Sequence, residues 1–230
     1  MISFQRVYYS YFKPNWVLNN ISMEISPGLT LVLGPNGCGK STFLKTLAGV
    51  ERPDSGSIEI DGLNLWTNEA AARRDLAFVP EQPDLTPYAS VKDVISLVCR
   101  LRHEPMNKGR EVLKKVELEH VSRRTIRELS MGQRRRVVLA AAWIGSPKIV
   151  LLDEPLESMD RTIRENILSW VDELIERNAT ILIVTHEIEP FVLKASRAMM
   201  IRAGQCKMYN SLPLDAKEKL HLLDRLGRGM

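Results

Sequence analysis

Residues 34 to 41 read Gly-Pro-Asn-Gly-Cys-Gly-Lys-Ser, which fits the phosphate-loop pattern G-x-x-x-x-G-K-[ST]. An apolar run at 29–33 precedes this loop, and a segment without internal Gly or Pro follows it at 41–48. The first segment is typical of a strand and the second of a helix, which is the order that the pattern requires. The loop therefore restricts this part of the chain to a strand–loop–helix unit of an α/β fold.

Each residue type in the loop has a physical reason to be there. Gly34 and Gly39 leave room for backbone N–H groups to converge on phosphate oxygens, and the following helix presents its positive end to the same anion. Lys40 places a point charge on the outer phosphates, and the Ser41 hydroxyl can ligate Mg²⁺. The sequence thus predicts ATP-type binding by a group of consecutive residues: Gly34, Pro35, Asn36, Gly37, Cys38, Gly39, Lys40, Ser41 and Thr42.

The rest of the chain alternates between apolar strand-like and helical segments. Continuous apolar runs at 149–152 and 181–184 are typical of parallel strands covered on both faces, and a further strand is predicted at 76–79. Helical spacing marks 136–144 and 161–178. These segments predict an α/β fold with a P-loop NTPase core and a mostly parallel sheet.

Two additions to this core are predicted. Short alternating stretches in the first 28 residues indicate an antiparallel β subdomain. A charged helical stretch at 91–129, which we expect Pro105 and Gly109 to interrupt, indicates a small helical subdomain at about 88–145. With a helical tail at about 211–230, we expect a single domain that spans residues 1–230.

Two carboxylates follow the apolar run at 149–152. Asp153 and Glu154 would lie at the carboxyl edge of a parallel sheet, where ligands bind in such folds. Asp153 is suited to hold Mg²⁺, and Glu154 could polarise a water for attack on the γ-phosphate. Alone, such a pair is often only an acidic helix start, but the phosphate loop favours the functional interpretation.

Composition limits the class of protein. The chain is 44% hydrophobic and 26% charged, has no apolar run near 18 residues and begins without a signal-peptide pattern, so we expect no membrane span of its own. Three widely spaced cysteines indicate neither a disulfide framework nor a zinc site, which favours the reducing cytosol. The arginines at 134–136 lack interleaved aromatic residues, so we expect a helix face with one or two solvated arginines, rather than a nucleic-acid patch.

The motifs, taken in order, resemble those of the ATP-binding subunits of ATP-binding cassette (ABC) transporters. Residues 129–133, Leu-Ser-Met-Gly-Gln, resemble the family signature Leu-Ser-Gly-Gly-Gln, although Met131 replaces its first glycine. Gln82 is similar to the glutamine of the family's Q-loop, Asp160 to the D-loop aspartate, and His186 to the switch histidine. Tyr11 is the best match for the aromatic residue that stacks on adenine, with Tyr8, Tyr9 and Phe12 as alternatives.

The resemblance implies a role for each matched residue. Catalysis would involve Lys40, Gln82, Glu154 and His186, with Mg²⁺ held by Ser41, Gln82 and Asp153. Tyr11 would bind the base, whereas Ser130, Gly132, Gln133 and Asp160 would contact nucleotide across a dimer. A structural alternative for His186 is a hydrogen-bonded histidine at the end of a strand.

The resemblance also implies partners. Two cassettes, identical or paralogous, would enclose two ATP molecules and act on a separate transmembrane permease at the cytoplasmic face of the membrane. The isolated chain would be soluble, and we expect no direct contact with nucleic acid. The alternative is a soluble, non-transport ABC ATPase that acts on nucleic acid or the ribosome. Segment 85–94 is more similar to exporter-type cassettes, but neither direction of transport nor substrate is assigned.

Overall fold

The computed structural model describes residues 1–229, and those residues form ten strands and seven α-helices. The strands are β1 (Ile2–Tyr9), β2 (Leu18–Ile25), β3 (Gly28–Leu33), β4 (Ser55–Ile60), β5 (Leu63–Asn64), β6 (Leu76–Val79), β7 (Ile149–Asp153), β8 (Thr180–Val184), β9 (Arg197–Arg202) and β10 (Gln205–Tyr209). The helices are α1 (Lys40–Leu47), α2 (Glu69–Arg73), α3 (Val91–Leu101), α4 (Met106–Lys115), α5 (Met131–Trp143), α6 (Arg161–Glu176) and α7 (Ala216–Gly227).

The larger sheet has the strand order β10-β9-β3-β8-β7-β6, and all its pairs are parallel except β9 with the edge strand β10. Every residue of β7 and β8 is buried, as their unbroken apolar sequences predicted. Strands β3, β8 and β7 are neighbours, so the segments that leave their carboxyl ends meet at one edge. The mostly parallel sheet of an α/β P-loop core is confirmed.

The smaller sheet is antiparallel, with the order β2-β1-β4-β5. Its pairing of β1 with β2 and with β4 confirms the antiparallel β subdomain predicted from the first residues of the chain.

Two hydrophobic clusters cover opposite faces of the larger sheet. Along β3, Leu31 and Leu33 belong to one cluster, whereas Val32 between them belongs to the other, as the period of two in a strand requires. Helices α3 to α7 contribute to the first cluster, and α1 packs with the smaller sheet in the second. The sheet therefore forms a wall between two apolar layers.

The stretch at 88–145 contains α3, α4 and α5. Pro105 stands directly before α4, as expected of a helix boundary, but the predicted interruption at Gly109 is wrong because Gly109 lies inside α4. A Cβ on Gly109 would lie 2.6 Å from Ile95 Cγ2 and 2.9 Å from Cys99 Sγ of α3. Glycine is therefore used here for close approach of two helices rather than for a break.

Helix α5 begins five residues before the predicted start at 136. Ser130 is its N-cap and accepts a hydrogen bond from Gln133 N at 3.2 Å, while Gln133 Oε1 accepts one from Ser130 N at 3.1 Å. This reciprocal capping box satisfies donors that the first helical turn would leave unpaired.

In the tail, α7 buries Leu223 and Leu226 against the first cluster. Across residues 1–229, we found no helix with both the length and the apolar character needed to cross a bilayer.

Candidate nucleotide-binding site

The phosphate loop joins β3 to α1 through glycines in the left-handed region. Gly34, Gly37 and Gly39 have φ values of 144°, 75° and 105°. A Cβ on Gly34 would lie 2.2 Å from Ile201 O, so this position also requires glycine because β9 passes so close. The loop ends at Gly39, the N-cap of α1, and Lys40 begins the helix. The positive end of α1 is thereby placed beside the loop.

The Lys40 ammonium lies within this loop. The residue is only 7% exposed, and its Nζ donates hydrogen bonds to Gly34 O at 2.8 Å and to Pro35 O at 3.1 Å. A buried cation held by neutral carbonyls is available for a stronger, charged acceptor such as a phosphate oxygen.

A cavity of about 630 Å³ opens beside the loop. It brings together residues from the phosphate loop and α1, from the ends of β7 and β8, and from the β1–β2 connection. Its lining comprises Tyr11, Val17, Asn36, Gly37, Gly39, Lys40, Ser41, Thr42, Glu81, Asp153, Glu154, Glu157, Val184, His186 and Glu187.

Asp153 ends β7 and is almost completely buried. Burial raises the pKa of this carboxyl, the neighbouring Ser41 hydroxyl acts in the opposite direction, and the charge of Glu81 adds to the rise. Its Oδ1 atom is buried and has no hydrogen-bond partner within the described chain. An unpaired carboxylate oxygen beside a hydroxyl fits the hard oxygen donors that Mg²⁺ prefers.

Glu154 has its side chain directed into the same cavity. Its backbone has φ 50°, a left-handed conformation unusual for a non-glycine residue, and its N–H donates to Val184 O at 2.9 Å. Glu154 Oε2 accepts a hydrogen bond from His186 N at 3.2 Å, which ties the end of β7 to the segment after β8.

The second carboxylate oxygen of Glu154 is available for chemistry. Oε1 lies 3.4 Å from His186 Nε2 but without hydrogen-bond geometry, and it is buried with no partner in residues 1–229. Burial raises the pKa of Glu154, and the nearby carboxylates of Asp153 and Glu157 raise it further. The N–H and the charge of His186 act to lower this pKa but do not cancel the rise. A carboxylate with a raised pKa and a free oxygen is suited to accept a proton from water.

Only Tyr11 of the four aromatic candidates lines the cavity. Its ring is half-exposed, and its hydroxyl lies 3.3 Å from Thr42 Oγ1. Tyr9 is buried and its hydroxyl donates to Glu51 at 2.7 Å, while the Tyr8 ring packs edge-on against Trp16. Phe12 is exposed but lies outside the lining.

Several predicted site residues are not part of this cavity. Gln82 is exposed and does not contribute to the lining, whereas its neighbour Glu81 does. The signature residues Ser130, Gly132 and Gln133 lie at the start of α5, outside the lining, and Asp160 caps α6 by accepting a hydrogen bond from Ile163 N at 3.1 Å. The side chain of Cys38 points back towards Gly34 and packs on the second cluster.

Sequence reasoning missed Glu81, Glu157 and Glu187, which add carboxylates to the lining. Adjacency to Gln82 was the available signal for Glu81. Glu187 follows His186 directly and is fixed by an ion pair with Arg164 of α6. Glu157 lies in the turn after β7, three residues beyond Glu154, and no periodicity marks it.

A family model described as "ABC transporter" matches residues 18–157. The chain belongs to the ABC transporter family. Among curated members, it is 34% identical over 206 residues to the Fe(3+) ions import ATP-binding protein FbpC of Photobacterium profundum, covering 87% of this chain and 58% of that protein. It is 35% identical over 211 residues to the spermidine/putrescine import ATP-binding protein PotA of Legionella pneumophila, and this match covers 89% of this chain and 57% of that protein. The chain thus spans little more than half the length of these ABC proteins.

Solved structures agree with the ABC fold. A bacterial ABC transporter cassette solved as a dimer is 27% identical, with a TM-score of 0.78 and coverage of 90% of this chain and 97% of that one. An ATP-binding subunit of an ABC transporter is 21% identical, with a TM-score of 0.84, and the match covers 98% of this chain and 97% of that one. The prediction of an ABC-type nucleotide-binding domain is confirmed.

Proposed function

We propose that this chain binds ATP with Mg²⁺, hydrolyses it, and drives transport through a separate transmembrane partner. The observation that carries the ATPase proposal is that Asp153 and Glu154 each have a buried, unpaired carboxylate oxygen in the same cavity as Lys40 and Ser41. A related ABC cassette has been solved in a post-hydrolysis state with ADP and Pi, at 26% identity.

Each group has a role that its position supports. Lys40 exchanges its loop carbonyls for phosphate oxygens, and the N–H groups of the loop and of α1 hold the remaining oxygens. Ser41 and Asp153 would hold Mg²⁺, which would neutralise charge on the phosphates. Glu154 Oε1 accepts a proton from the water whose oxygen attacks the γ-phosphorus, and the bond from that phosphorus to the bridging oxygen breaks, which leaves ADP and Pi. His186, tied to Glu154 through its backbone, faces the γ-phosphate. Tyr11 stacks on the base.

The remaining signature residues support a dimer. Ser130 and Gly132 do not line the cavity of their own chain. In the proposed dimer they contact ATP held by the second cassette, with Asp160 at the same interface. This arrangement makes two incomplete sites into two complete ones, and ATP binding then favours closure of the pair.

We assign the transport step to a separate transmembrane partner because the curated relatives are named as ATP-binding proteins for import. Exposed Gln82 and the segment after it form the surface that we assign to this partner, at the cytoplasmic face of the membrane. The curated relatives are named as importers of ferric ions, of spermidine and putrescine, and of sulfate or thiosulfate. Because such similar chains serve unlike cargoes, we assign cargo choice to the partner.

Hydrolysis is tested with two substitutions and a control. Glu154→Gln should retain ATP binding, abolish turnover and accumulate an ATP-bound dimer, because the amide keeps the shape of the side chain but cannot accept the proton. Lys40→Ala should lose ATP binding itself. The control Glu165→Gln alters an exposed carboxylate of α6 that pairs with Arg161, and it should behave as the unmodified chain. A Glu154→Gln chain that remains monomeric in saturating ATP-Mg²⁺ would contradict the proposed mechanism.

The partner is tested by affinity purification of the tagged chain from detergent-solubilised native membranes. A multi-spanning protein that co-purifies in near-stoichiometric amount supports transport. Recovery of only ribosomal or nucleic-acid partners would refute it and leave the alternative, a non-transport ABC ATPase.

A further inference from the structure

Arg135 is a buried cation that connects two parts of the chain. It lies in α5, is 7% exposed, and its guanidinium reaches across to the turn that follows β7. Nη2 donates to the backbone oxygen of Glu154 at 2.7 Å, and Nη1 donates to Glu157 Oε2 at 3.1 Å. A planar fork of donors is suited to hold two acceptors at once.

The acceptor of the shorter bond belongs to the residue that we assign as the general base. The only other hydrogen bond to Glu154 O within the described residues comes from Glu157 N, at 3.3 Å. The backbone of Glu154 is in the left-handed region, which persists only where surrounding contacts enforce it. Arg135 therefore supplies the stronger, charged constraint on the orientation of this peptide.

Neighbouring arginines on α5 do not share this connection. Arg134 donates to the carbonyls of Ile126 and Arg127, both at 3.1 Å, in the segment just before α5. Arg136 lies near Asp160 and Glu117. Of the three consecutive arginines, only Arg135 donates a hydrogen bond to Glu154.

The same helix begins with the signature residues. Ser130 caps α5, and Arg135 follows five residues later, a distance of about 8 Å along the axis at 1.5 Å per residue. A displacement of α5 when its first turn meets nucleotide would move the Arg135 guanidinium with it. In the proposed dimer, the first turn of α5 thus meets a partner's ATP, and little more than one turn further on the same helix is bonded to this chain's own glutamate.

We propose that Arg135 is a positioning residue that couples the placement of α5 to the orientation of Glu154, so that hydrolysis in one cassette depends on α5 of that same cassette. This inference rests on the proposed ATPase function. It assigns a role to the bond between Nη2 and Glu154 O rather than to general stability of the fold.

The test compares Arg135→Gln with Arg134→Gln in the full chain. Glutamine is too short to span both acceptors, so Arg135→Gln should lower kcat for ATP by about 10- to 100-fold, the loss expected when a reacting group is misplaced by about 1 Å. Its Kd for ATP should stay within about twofold, because Lys40 and the loop are untouched. Arg134→Gln, which removes two guanidinium hydrogen bonds to carbonyls outside the cavity, should change neither quantity by more than about twofold.

A further variant keeps the inference testable if the first one fails to fold. If Arg135→Gln does not fold, Arg135→Lys replaces it, because a single ammonium cannot hold both acceptors in the forked geometry; it should also lower kcat with Kd unchanged.

Two outcomes would overturn the inference: full kcat in Arg135→Gln, or an equal loss in Arg134→Gln. Failure of the proposed function looks different, because then the unmodified chain does not hydrolyse ATP, or Glu154→Gln hydrolyses it normally. Hydrolysis that requires Glu154 but is insensitive to Arg135 would remove only the present inference.

Discussion

Two glycines of the phosphate loop should differ sharply in their tolerance of a methyl group. Both Gly34 and Gly37 have positive φ, so alanine at either position should cost about 1–2 kcal/mol of backbone strain. At Gly37 an added Cβ meets nothing within 4 Å, whereas at Gly34 it would lie 2.2 Å from Ile201 O and 2.8 Å from Cys38 Sγ. Because the first of these atoms is backbone of β9, relief requires movement of a core strand, which adds about 1–3 kcal/mol.

We therefore expect Gly34→Ala to lower the free energy of unfolding by about 2–5 kcal/mol and Gly37→Ala by about 1–2 kcal/mol. The measurement is urea unfolding followed by tryptophan fluorescence, with the slope m compared between variants to confirm that the transition is the same. ATP binding should fall further in Gly34→Ala, since the loop itself must shift. Equal losses of stability in the two variants would refute the argument from close approach to β9.

Three further predictions concern the site and the helices around it. Glu154 must be ionised to accept a proton, and burial raises its pKa, so kcat should fall as the pH drops through that raised value. The acid limb of the kcat–pH profile should therefore lie above 4.5, the ordinary pKa of glutamate. An acid limb at or below 4.5 would contradict this prediction. Tyr11→Ala should raise the Kd for ATP by about 2- to 13-fold, the equivalent of about 0.5–1.5 kcal/mol of stacking, whereas the matched control Tyr9→Phe should leave the Kd unchanged in equilibrium titration. Gly109→Ala should lower the free energy of unfolding, because the added Cβ would lie 2.6 Å from Ile95 Cγ2. This loss should exceed the gain of about 1 kcal/mol that alanine brings as the better helix former. Greater stability in thermal unfolding would contradict the prediction and show that α3 and α4 can separate at little cost.

Local patterns predicted the elements that place the site. The apolar runs before the phosphate loop and before Asp153 are themselves the buried strands β3 and β7, so their positions could be inferred from composition and length alone. The glycines of the phosphate loop also predicted its position, because the positive φ values that the loop requires favour glycine over other residue types. Strands β9 and β10 were not predicted; β10 is an edge strand with a mixed sequence and no buried residue.

The features that could not be predicted from the sequence depend on contacts between residues far apart in the chain. The arginines at 134–136 were expected to include one or two solvated side chains, but none of the three is exposed and Arg135 is buried. Its acceptors lie 19 and 22 residues further along the chain, beyond the reach of helical periodicity. Gly109 was misjudged for a similar reason, because the residues that require a glycine there belong to another helix. Which of the aromatic residues faces the cavity also depended on tertiary packing.

The division of the apolar interior by the larger sheet has a consequence for engineering. Side chains on the two faces, such as Phe43 on one and Trp170 on the other, belong to clusters with no shared member. Substitutions placed on opposite faces should therefore change the free energy of unfolding additively, whereas neighbours within one cluster should show coupling. Stabilising changes can be found separately for each layer and then combined without adjusting one to suit the other.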